Sequence, residues 1–324
     1  MGLLVSERLE NHLITAHGAV LEPILVWRGR WPGDPDRDYL RVVGPDWCGH
    51  LDACGGSRRG SHPEVPGNTG GVGQQVVRYS ERPELWDALT GLSDEVWPEY
   101  NQHGATLNYY WDQLYEVFPD WQFVLYDPDD ETVLAEGHTI PAAWDGTDTG
   151  LGPGIDATVT AAFDLRAAGG QPTAVSALAA EIPPRHQRRG LARVMLQAMA
   201  GLARDAGLTH LIAPVRPTLK DRYPTIPIER YVRWTRADGT PFDPWVRVHT
   251  ELGARIGPAI PRSLHITGTV GDWESWTQMR FPETGDYVFP AGLATVHIDR
   301  DNDTGEYWEP NIWIIHHVRS RTPA

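Results

Sequence analysis

One segment restricts the fold of this chain more than any other: an apolar, strand-like run leads through a short basic loop into an amphipathic helix. The run TAVSALAAEI stops at Pro183 and Pro184, and the loop RHQRRG follows. From Leu191 onward, apolar residues recur at i, i+3, i+4, i+7 and i+11, which is the spacing of one helical face. Gly207 is a favourable residue for ending that helix. The segment therefore predicts a strand–loop–helix unit.

The loop before this helix has the chemistry of an anion site. The first amides of a helix have no partner inside the helix and carry partial positive charge. Gly190 lets a ligand approach the backbone closely, and a phosphate or pyrophosphate suits such a site. The alternative is a solvated, arginine-rich helix start. Glycine speaks against that alternative, because it costs about 1 kcal/mol relative to alanine inside a helix. The supporting arginines are Arg185, Arg188, Arg189 and Arg193.

Charge and composition exclude several classes of partner. The formal net charge of −15 makes nucleic acid and an anionic membrane unexpected partners. No apolar run approaches the roughly 18 residues of a membrane span, and no secretory signal is recognisable. With Cys48 and Cys54 as the only cysteines, we expect a reducing, cytoplasmic setting. The single lysine, Lys220, among many arginines indicates GC-rich coding and a bacterial source.

Composition divides the chain in two. Residues 1–73 are rich in Gly, Pro, Ser and Arg, which predicts a low-complexity, poorly ordered N-terminal extension. Residues 74–324 are predicted to form one domain. Within it, QQVVRYS predicts a strand, and two helical segments follow, PELWDALTGLSDEVWPEYN (Pro83–Asn101) and LNYYWDQLYEVF. WQFVLYD with TVLAEGHTI predicts a β-hairpin. LTHLIAPV predicts a strand after the helix at Leu191, and DPWVRVHTELGA a further helix with Asp243 as its N-cap.

The hexapeptide QRRGLA, Gln187–Ala192, resembles the acyl-CoA motif of the GNAT superfamily of N-acetyltransferases. The preceding EIPPRH has the I-x-P run usual between that family's fourth strand and third helix, and the order of elements also matches. The resemblance covers about residues 75–260. It implies the GNAT fold, an α/β (α+β) arrangement with a mixed, mostly antiparallel central sheet flanked by helices. Beyond residue 260, LATVHID and YWEPNIWII predict a late hairpin around an acidic turn, so we expect extra C-terminal strands.

The resemblance implies acetyl-CoA as the acyl donor. In the family, loop amides bind the pyrophosphate and the preceding strand pairs with the pantetheine arm. Carried onto this sequence, the cofactor-binding residues are Ala180, Ile182, Gln187, Arg188, Arg189, Gly190, Leu191 and Ala192. No metal is expected, because Cys48, His50, Cys54 and His62 lack the paired spacing of a zinc site.

Attack of an amine on a thioester needs a base for the amine, a donor for the oxyanion and an acid for the leaving thiolate. His249, in HTELG, stands where many family members have the tyrosine that protonates the thiolate. The alternative is an ordinary helix histidine. Glu181 ends the strand that often carries a catalytic carboxylate; it could instead pair with Arg185 or Arg188. Tyr223 is a further candidate acid.

For the acceptor we expect aromatic walls from Tyr110, Trp111 and Trp144, although such side chains more often belong to a core. The predicted activity is transfer of an acetyl or small acyl group from CoA to an amine of a small molecule, by direct attack in a ternary complex. An acidic protein favours a cationic or neutral amine. Two alternatives stay open: a non-catalytic CoA-binding module, and a transferase for a longer acyl-CoA or a carrier-protein thioester. A homodimer is also open.

Overall fold

The computed structural model describes residues 73–319 in full and, before them, the backbone of three short strands. The chain divides into two units, Met1–Pro66 and Gly67–Ala324. In the first, β1 (Glu10–His12), β2 (Ile24–Arg30) and β3 (Asp38–Val43) form an antiparallel sheet in that order. The other residues before Gly73 lie outside the described part. They include the four residues weighed as a zinc site, Cys48, His50, Cys54 and His62. Poor order of residues 1–73 therefore stays a prediction.

The second unit is built on one nine-stranded sheet. Its strand order is β10-β11-β12-β8-β7-β6-β5-β4, and β9 pairs with β12 off this path. The strands are β4 (Gln75–Arg78), β5 (Gln122–Asp127), β6 (Thr132–Ala142), β7 (Ala174–Glu181), β8 (His210–Val215), β9 (Arg255–Gly268), β10 (Gly285–Tyr287), β11 (Val296–Asp299) and β12 (Thr304–His317). The mostly antiparallel sheet with added C-terminal strands confirms the predicted fold class.

Eight α-helices accompany the strands in the described residues. They are α1 (Leu92–Val96), α2 (Ala105–Trp111), α3 (Gln113–Val117), α4 (Ile155–Ala167), α5 (Leu191–Asp205), α6 (Ile228–Tyr231), α7 (Pro244–Glu251) and α8 (Val270–Thr277). Helix α5 packs across β6, β7 and β8, and α7 packs against α5, β9 and β12. Helices α2 and α4 contact each other and β9. No helix among these residues is long and apolar enough to cross a membrane.

Two large apolar clusters hold the layers together. In one, Met195, Met199 and other residues of α5 pack with β-strand residues such as Val175 and Ile314. In the other, Val159 of α4 and Trp273 of α8 pack with residues of β9 to β12. Burial of apolar area is the dominant favourable term in folding. The sheet therefore has a supported core on which its edges and loops can be positioned.

The segment Pro83–Asn101, predicted as one helix, is divided into three short pieces. A 3₁₀ turn covers Pro83–Leu89, α1 follows, and a second 3₁₀ turn covers Glu99–His103. Gly91 precedes α1 in a left-handed conformation, with φ of 81°, and Pro98 precedes the second 3₁₀ turn in an extended conformation. Both residues interrupt helical geometry. The pieces bring Ser93, Trp97 and Asn101 to the site described below.

Candidate active site

The parallel strands β7 and β8 separate soon after they meet. They pair only at Val175 with Leu211 and at Ser176 with Ile212, although β7 runs on to Glu181 and β8 to Val215. A cavity of about 420 Å³ occupies the opening, lined on its two sides by residues 177–182 and 213–216. Among the described residues, no strand pairs with this edge of β7 beyond Ser176, so its backbone groups can pair with an extended ligand.

The loop that leads into α5 lies beside this opening. Gly190 is the N-cap of α5 with φ of 77°, and no side chain caps the helix. Arg188 also has a positive φ, 62°. The first amides of α5 are therefore available to an anion. Left-handed backbone at Gly190 explains the glycine, since a side chain would be strained there.

Two of the four loop arginines are held by carboxylates. Arg185 lies 2.6 Å from Glu95 and Arg193 lies 2.8 Å from Glu251, in ion pairs that are about half exposed. Arg189 contacts the ring of His186, and the side chain of Arg188 is exposed. Of the predicted cofactor residues, Ala180, Ile182, Gln187 and Ala192 line the cavity. Leu191, the first residue of α5, is buried in the core. Arg188, Arg189 and Gly190 belong to the loop and do not line the cavity.

Glu181 is buried at the end of β7 and lines the cavity. Its Oε1 accepts a hydrogen bond of 2.6 Å from the indole N–H of Trp97, and its Oε2 one of 3.4 Å from the hydroxyl of Ser93. Burial raises the pKa of its carboxyl, and His138 partly opposes this. Arg185, the expected alternative partner, binds Glu95 instead. Glu181 is thus a carboxylate with increased affinity for a proton, facing an open cavity.

Behind Glu181 lie two buried side chains that the sequence did not single out. Glu136 stands directly opposite Glu181 across β6 and β7, and His138 lies two residues along β6. One ligand atom from each of the three side chains falls within a group no wider than 4.8 Å. That spacing fits either a metal ion or a shared proton. Glu136 Oε1 and both oxygens of Glu181 already accept hydrogen bonds from protein donors, which favours the proton.

His249 on α7 lines the same cavity and is buried. Its Nδ1 lies 2.8 Å from Nε2 of His316 on β12, and its Nε2 is buried with no hydrogen-bond partner in the described part of the chain. Burial, with a smaller contribution from His316, lowers the pKa of His249 to about 3. The ring is therefore neutral near pH 7, and an unpartnered buried nitrogen is a group that a ligand can satisfy.

The remaining predicted residues lie in different surroundings. Trp111 lines the cavity and packs on the ring of His138 at 4.5 Å between centroids. Tyr110 packs on Phe163 in the core, and Trp144 is buried in a separate apolar cluster with its indole N–H bonded to a backbone carbonyl. Tyr223 belongs to an aromatic group with Tyr231, Trp234 and Phe242. Tyr110, Trp144 and Tyr223 do not contribute to the lining of the cavity.

An ion pair between the partly exposed Arg216 and the buried Glu309 forms part of the cavity wall as well. Arg216 Nε donates to Glu309 at 3.1 Å, and its Nη2 donates to Tyr100 and to the carbonyl of Ala291. Asn101 also donates to Glu309. Arg216 directly follows β8, Glu309 lies on β12, and Tyr100 and Asn101 lie in a 3₁₀ turn, so these residues are far apart in the chain. No local motif links them, so sequence reasoning had no signal for this pair.

No protein-family model matches the chain. The arginine N-acetyltransferase avaD of Aspergillus versicolor is 27% identical to it over 275 residues, which span 76% of this chain and 94% of that protein. Among solved structures, the loading GNATL domain of CurA from Lyngbya majuscula aligns with a TM-score of 0.47 and 17% identity, over 76% of this chain and 98% of that one. A GphF GNAT-like decarboxylase in complex with isobutyryl-CoA aligns with a TM-score of 0.44 and 20% identity, over 76% and 99%.

Sequence motif, fold and relative agree. Gln187–Ala192 stands where a strand passes into a helix, beside two parallel strands that separate to form a cavity. The curated N-acetyltransferase aligns over almost its whole length. The resemblance predicted from the sequence is confirmed: the chain is similar to an N-acetyltransferase and has the sheet and the strand–loop–helix unit expected of the GNAT superfamily.

Proposed function

We propose that this chain transfers an acetyl group from acetyl-CoA to an amine of a small molecule, by direct attack in a ternary complex. One observation carries the proposal. The cavity between β7 and β8 is lined both by a buried carboxylate, Glu181, and by a buried imidazole with an unpartnered nitrogen, His249. A base and a proton donor that share one cavity match the two proton transfers of amide formation.

The donor would lie along the unpaired edge of β7. The pantetheine arm, which carries amide groups, would pair with the backbone near Ala180 and Ile182. The pyrophosphate would meet the uncapped N-terminus of α5 at Gly190, with Arg188 and Arg189 as exposed cations nearby. The thioester of this donor supplies the reactive acyl group, and the proposed reaction uses no metal.

In the proposed reaction the ammonium form of the acceptor first gives one proton to solvent, and Glu181 then takes a second N–H proton from the neutral amine as it attacks. The nitrogen then forms a bond to the thioester carbon. The resulting oxyanion would be met by a backbone amide between Ala179 and Ile182. When the C–S bond breaks, the thiolate takes the Nε2 proton of His249, and His249 Nδ1 takes the Nε2 proton of His316. Glu181 then releases its proton to solvent, and solvent returns a proton to His316. The products are the amide and free CoA.

The cavity favours a cationic or neutral acceptor. Glu181 contributes a negative charge, and Trp97 and Trp111 offer aromatic surface beside it. Arg216 is already paired with Glu309, so this ion pair adds little net charge to the wall. Because the aligned relative is named for arginine, arginine is the first amine to test. Its α-amino group could approach Glu181 while its side chain reaches the polar wall.

The decisive experiment measures release of free thiol from acetyl-CoA with arginine and a panel of other amines. Turnover with at least one amine supports the proposal. Saturable binding of CoA without turnover on any amine would favour the non-catalytic module. A donor series of increasing acyl length, together with an acyl carrier-protein thioester, tests the remaining alternative.

A cytoplasmic location, a bacterial source and a homodimer are further predictions of the sequence. Cell fractionation tests the first, the genome of origin the second and sedimentation analysis the third.

A further inference from the structure

Glu136 and His138 form a buried pair that the proposed reaction does not use. Glu136 is 4% exposed and His138 is 1% exposed. In the antiparallel pairing of β6 and β7, Glu136 lies opposite Glu181, and His138 lies opposite Ala179. Residues opposite each other share one face of the sheet, as do residues two apart on a strand. Glu136, His138 and Glu181 therefore face the same side.

Two ionised carboxylates directly opposite each other in a buried sheet repel strongly. The hydrogen-bond donors to Glu136 and Glu181 reduce this repulsion only in part. Trp86 and Tyr115 donate to Glu136 Oε1, while Trp97 and Ser93 donate to Glu181. All four donors are neutral, so no cation cancels the second negative charge. A proton on one of the three groups cancels this charge.

The hydrogen bonds around His138 locate that proton. Gln122 Nε2 donates to the carbonyls of Phe118 and Thr139, so Gln122 Oε1 acts as an acceptor. His138 Nδ1 lies 3.1 Å from that oxygen and therefore carries a hydrogen. In the neutral ring, Nε2 is then a bare acceptor. Nε2 lies 3.4 Å from Glu136 Oε1. Without a proton between them, His138 Nε2 and Glu136 Oε1 would be two acceptors in direct contact.

We propose that Glu136 and His138 hold one shared proton, and that this pair is a positioning device that keeps Glu181 ionised and ready to accept a proton from the amine. The assignment of Glu181 as base rests on the proposed function; the shared proton does not. With the proton in place, the pair is neutral overall and only Glu181 carries charge in the cluster. Without it, a second anion stands opposite Glu181 and increases its affinity for a proton. Burial, which raises the pKa of Glu136 to about 7, agrees with this state.

The first test is infrared spectroscopy of the full chain, which needs no substrate. We expect a carbonyl band of a protonated carboxyl at about pH 5.5 that disappears by about pH 8.5. Glu136→Gln should remove this band, and the exposed control Glu84→Gln should keep it. Wild-type protein without the band, or a band retained in Glu136→Gln, would overturn the proposal. Tyr115→Phe removes a hydrogen bond to Glu136 but keeps the carboxyl, so it should shift the band; an unmoved band would count against the assignment.

The second test uses the pH dependence of kcat/KM in the acidic range, where ionisation of Glu181 governs the rate. Glutamine resembles the protonated state of Glu136, so in Glu136→Gln the midpoint should stay within about 0.3 pH units of wild type. If Glu136 were instead ionised in the resting protein, removing its charge would lower the midpoint by about one unit or more. Absence of any turnover would contradict the proposed function and leave the infrared result to decide on the shared proton.

Discussion

Nδ1 of His249 lies 2.8 Å from Nε2 of His316, and both rings are buried. Burial lowers the pKa of His316 to about 4 and that of His249 to about 3, so both rings are neutral near pH 7. A single hydrogen occupies the contact between them. If His316 donates it, His249 carries its own hydrogen on Nε2, the buried atom that has no hydrogen-bond partner among the described residues. The protonation of His316 thus decides whether His249 can act as an acid.

Removing the imidazole of His249 should slow turnover without weakening donor binding. We expect His249→Ala to lower kcat by about 10²-fold or more, because a proton-transfer group contributes roughly that much. The dissociation constant for CoA, measured by calorimetry, should change by less than about threefold. The exposed His297 provides the control, and His297→Ala should match wild type. An unchanged kcat in His249→Ala would refute the acid role.

The partner ring can be tested with a matched pair of substitutions. His316→Gln keeps an N–H donor for His249 Nδ1, whereas His316→Leu removes it. Turnover should fall in the order wild type, His316→Gln, His316→Leu, with the last close to His249→Ala. Equal turnover in the two variants would show that the contact serves packing alone.

Gly190 offers a test of the donor site that leaves the core untouched. A Cβ there would meet nothing within 4 Å, but φ is +77°, a conformation that asparagine and aspartate tolerate best after glycine. Gly190→Asn and Gly190→Asp are therefore nearly equal in shape and differ in charge. The aspartate should weaken CoA binding by about tenfold or more relative to asparagine, because it places an anion where we propose that the pyrophosphate binds. Equal affinities would place the pyrophosphate elsewhere.

Replacing Glu181 should change both kcat and the pH dependence of kcat/KM. Glu181→Gln keeps an acceptor for Trp97 but cannot take a proton from the amine. We expect kcat to fall by about 10²-fold or more and the acidic limb of the kcat/KM profile to disappear. Glu95→Gln, which breaks only the exposed pair with Arg185, is the matched control and should leave both unchanged. A retained acidic limb in Glu181→Gln would assign it to another group.

Elements with strong local signals were predictable from the sequence. The helix α5, the hairpin of β5 and β6, and the hairpin of β11 and β12 follow from periodicity and turn residues. Asp243 caps α7 as expected, accepting from the amides of Trp245 and Val246. In each case the residues that determine the element lie close together in the chain.

Helix α4 was not predicted, and its composition explains why. Its sequence IDATVTAAFDLRA has small and β-branched residues in place of a clear apolar stripe. The helix is held by its surroundings: Ile155 N donates to Ser263 of β9, and Val159 is fully buried. Tertiary contacts of this kind override weak local preference and cannot be derived from a single segment.

The surroundings of the candidate active site were predicted only in part for a related reason. Glu181 and His249 lie beside recognisable positions, so a family resemblance could single them out. Glu136, His138 and His316 lie on strands whose partners are set by register. Nothing in the linear spacing relates residue 136 to residue 181 or residue 249 to residue 316. A buried polar residue inside an apolar strand is the only signal that the sequence offers for such groups.

The shared proton also predicts how stability depends on pH. The pKa of Glu136 is raised from an ordinary value of 4.5 to about 7 by burial. A carboxyl with a raised folded-state pKa stabilises the protein fully below its unfolded pKa, and this contribution is lost as pH rises through the folded value. From about pH 4.5 to about pH 7, the contribution of Glu136 to the free energy of unfolding should fall by about 3 kcal/mol. Urea unfolding at several pH values measures it, and Glu136→Gln should flatten the curve in this window relative to wild type. Parallel curves for the two proteins would show that Glu136 carries no proton in the folded state.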